Sequence, residues 1–188
     1  MIRAGEVDPR GSAGPGWVVD ALRAAGCVFA EDEARLLVEA ATDADELAAM
    51  VRARVEGKPL EYIVGWVEFG GLRIAVDEGV FVPRRRSELL VREAVSHLIG
   101  RKAPVVLDLC CGCGAIGAAI AAAVTGIRLH AADIDPAAVR CARRNLAPAG
   151  GAVYEGDLFD PLPEALRGVV DVLVVNAPYV PTEAIALM

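Results

Sequence analysis

VVLDLCCGCGAIG, residues 105–117, is the stretch of this 188-residue sequence that predicts the fold. It opens on a short aliphatic run, residues 105–107, which is typical of a buried strand in a parallel sheet. A glycine-dense turn follows, and Ala115–Ala123 then has the alanine-rich composition of a packed helix. Strand, glycine turn and helix in this order indicate a nucleotide-binding unit, because glycines let the backbone approach a ligand and a helix N-terminus offers unpaired N–H groups.

Three glycines of the turn, Gly112, Gly114 and Gly117, spell G-x-G-x-x-G, a pattern that by itself does not separate sites for NAD from sites for S-adenosylmethionine (SAM). Asp108 stands at the end of the strand, where the pyrophosphate of a dinucleotide would pass. A carboxylate there repels that anion but suits the ammonium and sulfonium charges of SAM. The stretch therefore favours SAM as the cofactor, with NAD, or a turn that binds no ligand, as the alternatives.

The composition indicates a globular protein, and we expect it in the cytoplasm. Hydrophobic residues make up 55% of the chain but aromatic residues only 5%, so Ala, Val and Leu must build the core. The net charge of −7 opposes binding to a phosphate backbone, and we expect no nucleic-acid partner. No charged and apolar leader opens the sequence, and residues 115–124 are too few to span a bilayer, so no membrane partner is expected either.

The five cysteines do not predict a metal site. Cys110, Cys111 and Cys113 lie in the glycine turn, while Cys27 and Cys141 stand alone. Cys110 and Cys113 form a C-x-x-C pair, which could indicate redox chemistry or half of a zinc site, but no second pair at metal-ligand spacing exists. We favour the interpretation that these are small residues tolerated beside a cofactor, with Cys110 among the residues that line its site.

The N-terminal third of the sequence predicts an arm and a helical cap. Residues 1–16 are rich in Gly and Pro without periodicity and indicate a flexible arm. Apolar residues then recur at helical spacing through residues 17–58, in three segments at about 17–25, 31–41 and 45–55. Three short amphipathic helices bury little surface alone. We therefore interpret residues 17–58 as a cap on a larger domain that recognises the substrate.

Residues 59–86 predict a β-hairpin followed by a linker. Trp66–Phe69 and residues 72–76 flank Gly70-Gly71, a two-residue hairpin signal. The three arginines at 84–86 are either a solvated charge run or groups near the cofactor or substrate, and the sequence does not decide between these. Ser87 is expected as the N-cap of a helix that runs to Leu98.

Two further strands each end near an aspartate. The strand at 127–132 is followed by Asp133, which lies 21 residues after Gly112, where an acid can accept hydrogen bonds from a ribose diol. We favour this role over that of a turn aspartate. Ala152–Glu155 predicts a third strand, and Asp157 shortly after it is positioned either to bind an adenine amino group or to cap a turn.

The fourth strand, residues 169–175, delivers the tetrapeptide Asn176, Ala177, Pro178 and Tyr179 at its carboxyl end, the edge where open α/β sheets bind ligands. The Asn176 side-chain oxygen and the Ala177 carbonyl can each accept one N–H of a planar amino group, and Tyr179 can pack on that group. Such a nitrogen is a poor nucleophile, so orientation and dehydration must supply most of the catalysis. A plain strand-ending turn is the alternative.

With these motifs, the sequence resembles the class I SAM-dependent methyltransferases that modify N5 of glutamine in peptide chain release factors. The resemblance runs from Trp17 to the last residue, and its family-specific part is the combination of helical cap and hairpin. The tetrapeptide alone also resembles a motif of adenine-N6 methyltransferases. The matching segments are residues 59–65, 82–84, 108–117, 156–159 and 176–179.

The resemblance implies an α/β fold with a Rossmann-like parallel sheet, in which residues 87–188 form part of a SAM-binding methyltransferase domain. It implies that Asp133 contacts the ribose of SAM, Asp157 the adenine, and Asn176 with Tyr179 the glutamine amide of a release factor. The expected cofactor-binding residues are Asp108, Cys110, Gly112, Gly114, Asp133, Asp157, Leu158 and Asn176. The expected catalytic residues are Asn176, Ala177, Pro178 and Tyr179. An adenine-N6 methyltransferase and a catalytically silent SAM-binding module are the alternatives.

Two substitutions indicate a divergent subgroup of that family. Ala177 replaces the first proline of the usual Asn-Pro-Pro-Tyr, which keeps the carbonyl but loses the fixed φ angle of proline. Residues 83–88 read PRRRSE where the family has PRPETE. The family's chains also continue well past the tetrapeptide, so we expect a truncated domain with weak or no activity. Leu173, Val174 and Val175 would then form an exposed edge that promotes self-association.

Overall fold

The computed structural model describes residues 16–177, and the chain divides after Gly65 into two units. The expected arm, apart from Gly16, lies outside the described residues, and so do Pro178 and Tyr179. No helix within residues 16–177 combines the length and the hydropathy needed to cross a membrane.

The first unit is helical, as the sequence predicts. Its helices are α1 (Gly16–Ala24), α2 (Ala30–Ala40), α3 (Ala44–Val55) and α4 (Leu60–Val64). The sequence did not predict α4, a single turn that starts after Pro59 and ends at Gly65, whose left-handed backbone (φ 80°) stops the helix. The buried core of this unit consists of Val18, Leu22, Ala30, Ala34, Leu37 and Val51.

Polar contacts fix the ends and the packing of these helices. The Asp43 side chain accepts a hydrogen bond from the Glu46 backbone N–H at 2.8 Å and so caps α3. Arg54 on α3 forms a two-pronged ion pair with Glu33 on α2, with Nε–Oε2 and Nη2–Oε1 distances of 2.5 and 3.1 Å. Because both partners are largely buried, this pair holds α2 and α3 in one arrangement.

The second unit opens with the predicted hairpin, β1 (Trp66–Phe69) and β2 (Leu72–Ala75), paired antiparallel. Gly70 and Gly71 have φ angles of 58° and 76°, the left-handed pair that a two-residue hairpin turn requires. Phe69 is fully buried. The hairpin thus packs as part of the larger unit, whereas the sequence alone suggests a linker.

A parallel sheet of four strands forms the centre of this unit: β3 (Val105–Leu109), β4 (Arg128–Asp133), β5 (Ala152–Glu155) and β6 (Val172–Val175). The strand order is β5-β4-β3-β6, so the fourth strand lies beside the first. All of β3 is buried. The α/β class and the parallel, Rossmann-like sheet expected from the glycine turn are confirmed.

Strand β6 begins later than the sequence suggests. The expected strand starts at residue 169, but Gly168 (φ 75°) and Val169 belong to the turn before it. The Asp171 carboxylate then accepts the Val105 N–H at 2.8 Å and fixes the register of the first pairs. The expectation of an apolar edge through all of residues 173–175 is wrong for Val174, which is 5% exposed, because side chains alternate along a strand.

Three helices cover the sheet: α5 (Glu88–Leu98), α6 (Ala115–Ala123) and α7 (Pro136–Leu146). Helix α6 matches its predicted bounds and is buried over six consecutive residues. Helix α7 starts at Pro136 after Asp135, whose carboxylate accepts the Ala137 N–H at 2.9 Å. Asn145 on α7 ties the hairpin to this helix, because its side chain pairs with both the N–H and the carbonyl of Ala75 at 2.9 Å.

Candidate functional site

A cavity of about 600 Å³ opens at the carboxyl ends of the four parallel strands. The loops that follow β3, β4, β5 and β6 all contribute to its wall, together with the segment between the hairpin and α5. The volume lies within the range of sites for small molecules and cofactors. The sheet edge is the one at which open α/β folds bind ligands.

Most of the predicted site residues that the structure describes meet in this cavity. Those that line it are Cys110, Gly112, Asp133, Asp157, Leu158, Asn176 and Ala177. Asp108 and Gly114 do not belong to the lining, and Pro178 and Tyr179 lie outside the described residues. The sequence thus identifies the strand ends that form the site, but not every side chain that reaches it.

The turn after β3 is held in a left-handed conformation and is fastened to β4. Cys110 and Gly112 have φ angles of 56° and 55°, a region that costs a non-glycine residue about 1–2 kcal/mol. The Cys111 N–H donates to the Ala132 carbonyl at 3.1 Å, and the Gly112 N–H donates to Asp133 Oδ2 at 2.8 Å. The strain at Cys110 is therefore compensated by contacts that shape the cavity wall.

Asp133 makes the turn contacts that were one of its two predicted roles, and its place in the cavity wall leaves the ribose role as a prediction. Its Oδ2 accepts the Gly112 N–H, and its Oδ1 accepts the Asp135 N–H at 3.0 Å. It also lines the cavity. A carboxylate has about four acceptor positions, so two remain for the hydroxyls of a ribose diol.

Asp108 is buried beneath the glycine turn and contacts the N-terminus of helix α6. It is 1% exposed, and its Oδ2 accepts the N–H of Gly117 at 2.8 Å. Gly117 is the third residue of α6, so the carboxylate caps one of the unpaired N–H groups of that helix end. A Cβ at Gly117 would lie 3.1 Å from the same oxygen, which explains why a glycine stands there.

The pKa of the Asp108 carboxyl is raised to about 7, and burial is the main cause. The hydrogen bond from the Gly117 N–H opposes this rise, and the negative charge of Asp133 adds to it. The folded protein then keeps this proton between about pH 4 and pH 7, where the unfolded chain has lost it. Because the folded state binds the extra proton, the free energy of unfolding must fall as the pH rises through this window.

We predict that Asp108→Asn removes this component of the pH dependence. For the unmodified chain it amounts to about 2 kcal/mol between pH 5 and pH 7, since each unit of pKa shift corresponds to about 1.4 kcal/mol. Urea unfolding at a series of pH values measures the slope, and Asp160→Asn, at an exposed position, is the matched control. Equal slopes for Asp108→Asn and the unmodified chain would contradict the prediction.

The cysteines of the turn are poorly suited to nucleophilic chemistry. The described cysteines are free thiols. Burial, with the nearby carboxylates of Asp133 and Asp108, raises the pKa of Cys110, and burial raises that of Cys113 to about 12. The thiolate is the reactive form of cysteine, so these side chains stay protonated at neutral pH. This agrees with their interpretation as small packing residues.

Side chains that sequence reasoning did not assign to the site also line the cavity. Phe81 and Ile134 are large apolar residues with exposed side chains, Ile134 at 66%, and they line the cavity together with the predicted Leu158. Ile134 directly follows Asp133, and Leu158 directly follows Asp157, so each carboxylate has an apolar neighbour. An apolar residue directly after the acid was the signal that could have identified Ile134, and no comparable signal marks Phe81.

Asn176 and Ala177 follow β6 and line the cavity at that end, which we call the acceptor end after the role that the sequence predicts for these residues. Asn176 Nδ2 lies 3.5 Å from the hydroxyl of Ser87, a residue expected only to cap α5. Arg84 and Arg86 line the same cavity, which supports a role near a ligand for two of the three arginines. Arg85 lines a separate, smaller cavity beside Glu68 and Glu88.

Comparison with known proteins gives a family and named relatives. Residues 71–187 match the family model of the methyltransferase small domain. A 4-amino-L-phenylalanine/4-methylamino-L-phenylalanine methyltransferase of Streptomyces pristinaespiralis is 40% identical over 70% of this chain and 46% of its own length. Release factor glutamine methyltransferases of Mycolicibacterium smegmatis and Corynebacterium glutamicum are each 39% identical, over 98% and 71% of this chain. The chain covers 64% and 50% of those two relatives, so it spans about half to two thirds of their length.

Proposed function

Because the chain belongs to the methyltransferase small domain family, we propose that it transfers a methyl group from SAM to a planar amino group, with the side-chain amide of a protein glutamine as the leading acceptor. One observation carries this proposal. A single cavity joins Asp133 and Asp157, which suit a nucleoside, to Asn176 and Ala177, which suit a planar nitrogen. Neither half alone would distinguish a methyltransferase from a nucleotide-binding module.

The residues of the cavity fit SAM. Asp133 would accept hydrogen bonds from the ribose hydroxyls, and Asp157 from the adenine amino group. Ile134 and Leu158 would cover the apolar faces of the adenine ring, and Gly112 leaves room for the ligand to approach the backbone. The resemblance implies that Asp108 and Gly114 lie near the methionine part; neither lines the cavity, so this implication stays a prediction. SAM supplies an electrophilic methyl group on a sulfonium.

The chain's own residues would orient the acceptor. The Asn176 side-chain oxygen and the Ala177 carbonyl would each accept one N–H, which leaves the nitrogen lone pair facing the cofactor. Dispersal of positive charge during the transfer favours a dry cavity, and exposed apolar groups such as Phe81 can exclude water. Pro178 and Tyr179 would complete this end of the site.

A release factor as substrate is supported by the relatives and by the domain organisation. The Mycolicibacterium smegmatis relative is named a release factor glutamine methyltransferase, and its likeness runs over 98% of this chain, including the helical first unit. We propose that this unit recognises the protein substrate.

A second acceptor class has its own support. The name of the Streptomyces pristinaespiralis relative gives 4-amino-L-phenylalanine and 4-methylamino-L-phenylalanine as its substrates. Each is an amino acid with an arylamine group, whose nitrogen is planar like that of an amide. Arg84 and Arg86 line the cavity, and a guanidinium binds a carboxylate through paired hydrogen bonds. A free amino acid carries such a carboxylate, as does the methionine part of SAM, whereas a glutamine within a peptide chain does not.

The test is SAM binding followed by methyl transfer with the 188-residue chain. Calorimetry measures SAM and NADH affinity, and mass spectrometry follows methylation of a release-factor glutamine peptide, of 4-aminophenylalanine and of an adenine-containing oligonucleotide. Methylation of the peptide supports the leading proposal, and methylation of the amino acid supports the second. Transfer to the oligonucleotide alone, or no binding of SAM, would overturn both proposals.

We predict that Asp133→Ala lowers SAM affinity by tenfold or more. It removes two acceptors for charge-assisted hydrogen bonds, each worth about 1.5–3 kcal/mol, and the contact that holds Gly112. Asp160→Ala, an exposed acid outside the cavity wall, is the matched control in the calorimetric titration. Equal SAM affinity in the Asp133 variant and the unmodified chain would exclude the ribose role, above all if NADH also binds.

A further inference from the structure

Ser87 stands immediately before α5, where serine usually caps a helix, yet its side chain makes no capping hydrogen bond. Residues Arg85–Ser87 form a 3₁₀ turn that continues directly into α5. Arg84 has the extended backbone of a cap residue (φ −100°, ψ 139°), and its carbonyl accepts the Ser87 N–H at 2.8 Å. Helical backbone therefore begins three residues earlier than the sequence suggests, and the Ser87 hydroxyl is not used to cap it.

The Ser87 hydroxyl instead faces the acceptor end of the cavity. Ser87 is 7% exposed and lines the cavity, and its Oγ lies 3.5 Å from Asn176 Nδ2. Because Nδ2 is a donor, the hydroxyl oxygen is the acceptor in this contact. Burial of a hydroxyl is costly without a hydrogen bond, so a buried serine at this place needs a polar neighbour such as Asn176.

The orientation of the Asn176 amide decides what it can bind. Its oxygen and its NH₂ group are nearly equal in size, and a half-turn about the last side-chain bond exchanges an acceptor for a donor. The proposed acceptors offer an NH₂ group, which requires Oδ1 rather than Nδ2 on the substrate side. In the structure Nδ2 faces the Ser87 oxygen, and this orientation leaves Oδ1 for the substrate.

We propose that Ser87 is a positioning residue that holds the Asn176 side chain by accepting from Nδ2, so that Oδ1 is left to bind the amino group of the methyl acceptor. This inference rests on the proposed N-methyltransferase function. It extends the site from the strand ends to the 3₁₀ turn that precedes α5. Ser87 acts through Asn176 and needs no contact with the reacting atoms.

The kinetic test compares Ser87→Ala and Ser87→Cys, which remove the hydroxyl, with Ser87→Thr, which retains it. We expect kcat to fall about tenfold or more in the first two and to recover in Ser87→Thr, with SAM affinity within about twofold of the unmodified chain in all three. Ser96→Ala is the matched control, because Ser96 lies on the same helix, is exposed and bonds only locally through its hydroxyl. Loss of SAM affinity in Ser87→Ala with kcat retained would assign the hydroxyl to the cofactor and overturn the proposal.

A second readout does not depend on activity. The side-chain NH₂ signals of Asn176 in a ¹H–¹⁵N spectrum can be identified by their absence from Asn176→Ala. We expect them to shift in Ser87→Ala and to stay near their original position in Ser87→Thr and Ser96→Ala. Unchanged signals in Ser87→Ala would overturn the proposal even if the chain methylates its acceptor. A shift in a chain that methylates nothing would instead support the contact while the proposed function fails.

Discussion

Asn176→Ala is expected to lower the rate of methyl transfer by on the order of a hundredfold while SAM affinity stays within about twofold. Asn176 follows β6 at the acceptor end of the cavity, whereas Asp133 ends β4 and Asp157 follows β5. Truncation removes the oxygen that would fix one N–H of the acceptor. The loss of one positioning contact typically costs about a hundredfold in rate, because a weak nucleophile depends on its orientation.

Single-turnover kinetics with bound SAM measure this effect directly, since the rate of transfer is then separated from binding and release. Val175→Ala is the matched control, because Val175 precedes Asn176, is exposed and does not line the cavity. Unchanged turnover in Asn176→Ala would remove the residue from the mechanism. A parallel loss of SAM affinity would mean that Asn176 serves mainly the cofactor.

The features that the sequence predicted well depend on local patterns. Residues 105–117 predicted β3, the turn and α6, because an aliphatic run, clustered glycines and an alanine-rich segment each favour one backbone conformation. Gly70-Gly71 predicted the hairpin for the same reason. The neighbouring position of β3 and β6 and the meeting of the strand-ending residues then follow from how parallel sheets are connected.

The features that the sequence did not predict depend on contacts between distant segments. Asp108 was expected to face the cofactor, but whether a strand-ending side chain points into the cavity or under the helix depends on the turn that follows. Ser87 was expected to cap α5, yet it lies in the 3₁₀ turn that precedes α5, and Arg84 occupies the cap position instead. Asn145 joins the hairpin to Cys113 in the glycine turn across segments far apart in the chain, and no local pattern marks it.

Alanine substitutions at two glycines of the turn are expected to have a large effect on the free energy of unfolding. Gly112 and Gly114 both have left-handed backbone, with φ angles of 55° and 79°, so an alanine at either position costs about 1–2 kcal/mol. Their surroundings differ. A Cβ at Gly112 would meet no atom within 4 Å, whereas a Cβ at Gly114 would lie 3.1 Å from Leu146 Cγ and 3.3 Å from the Ala142 Cα.

We therefore expect Gly114→Ala to lower the free energy of unfolding by about 2–5 kcal/mol, and Gly112→Ala by only about 1–2 kcal/mol. The added cost arises because Leu146 is fully buried and Ala142 Cα belongs to the backbone of α7, so neither yields without moving that helix. Urea unfolding of both variants measures the difference, with each acting as the control for the other. Equal losses would mean that α7 does adjust. Because Gly112 lines the cavity and Gly114 does not, loss of SAM affinity in a stable Gly112→Ala variant would assign the first glycine to the ligand and the second to the packing of the turn on α7.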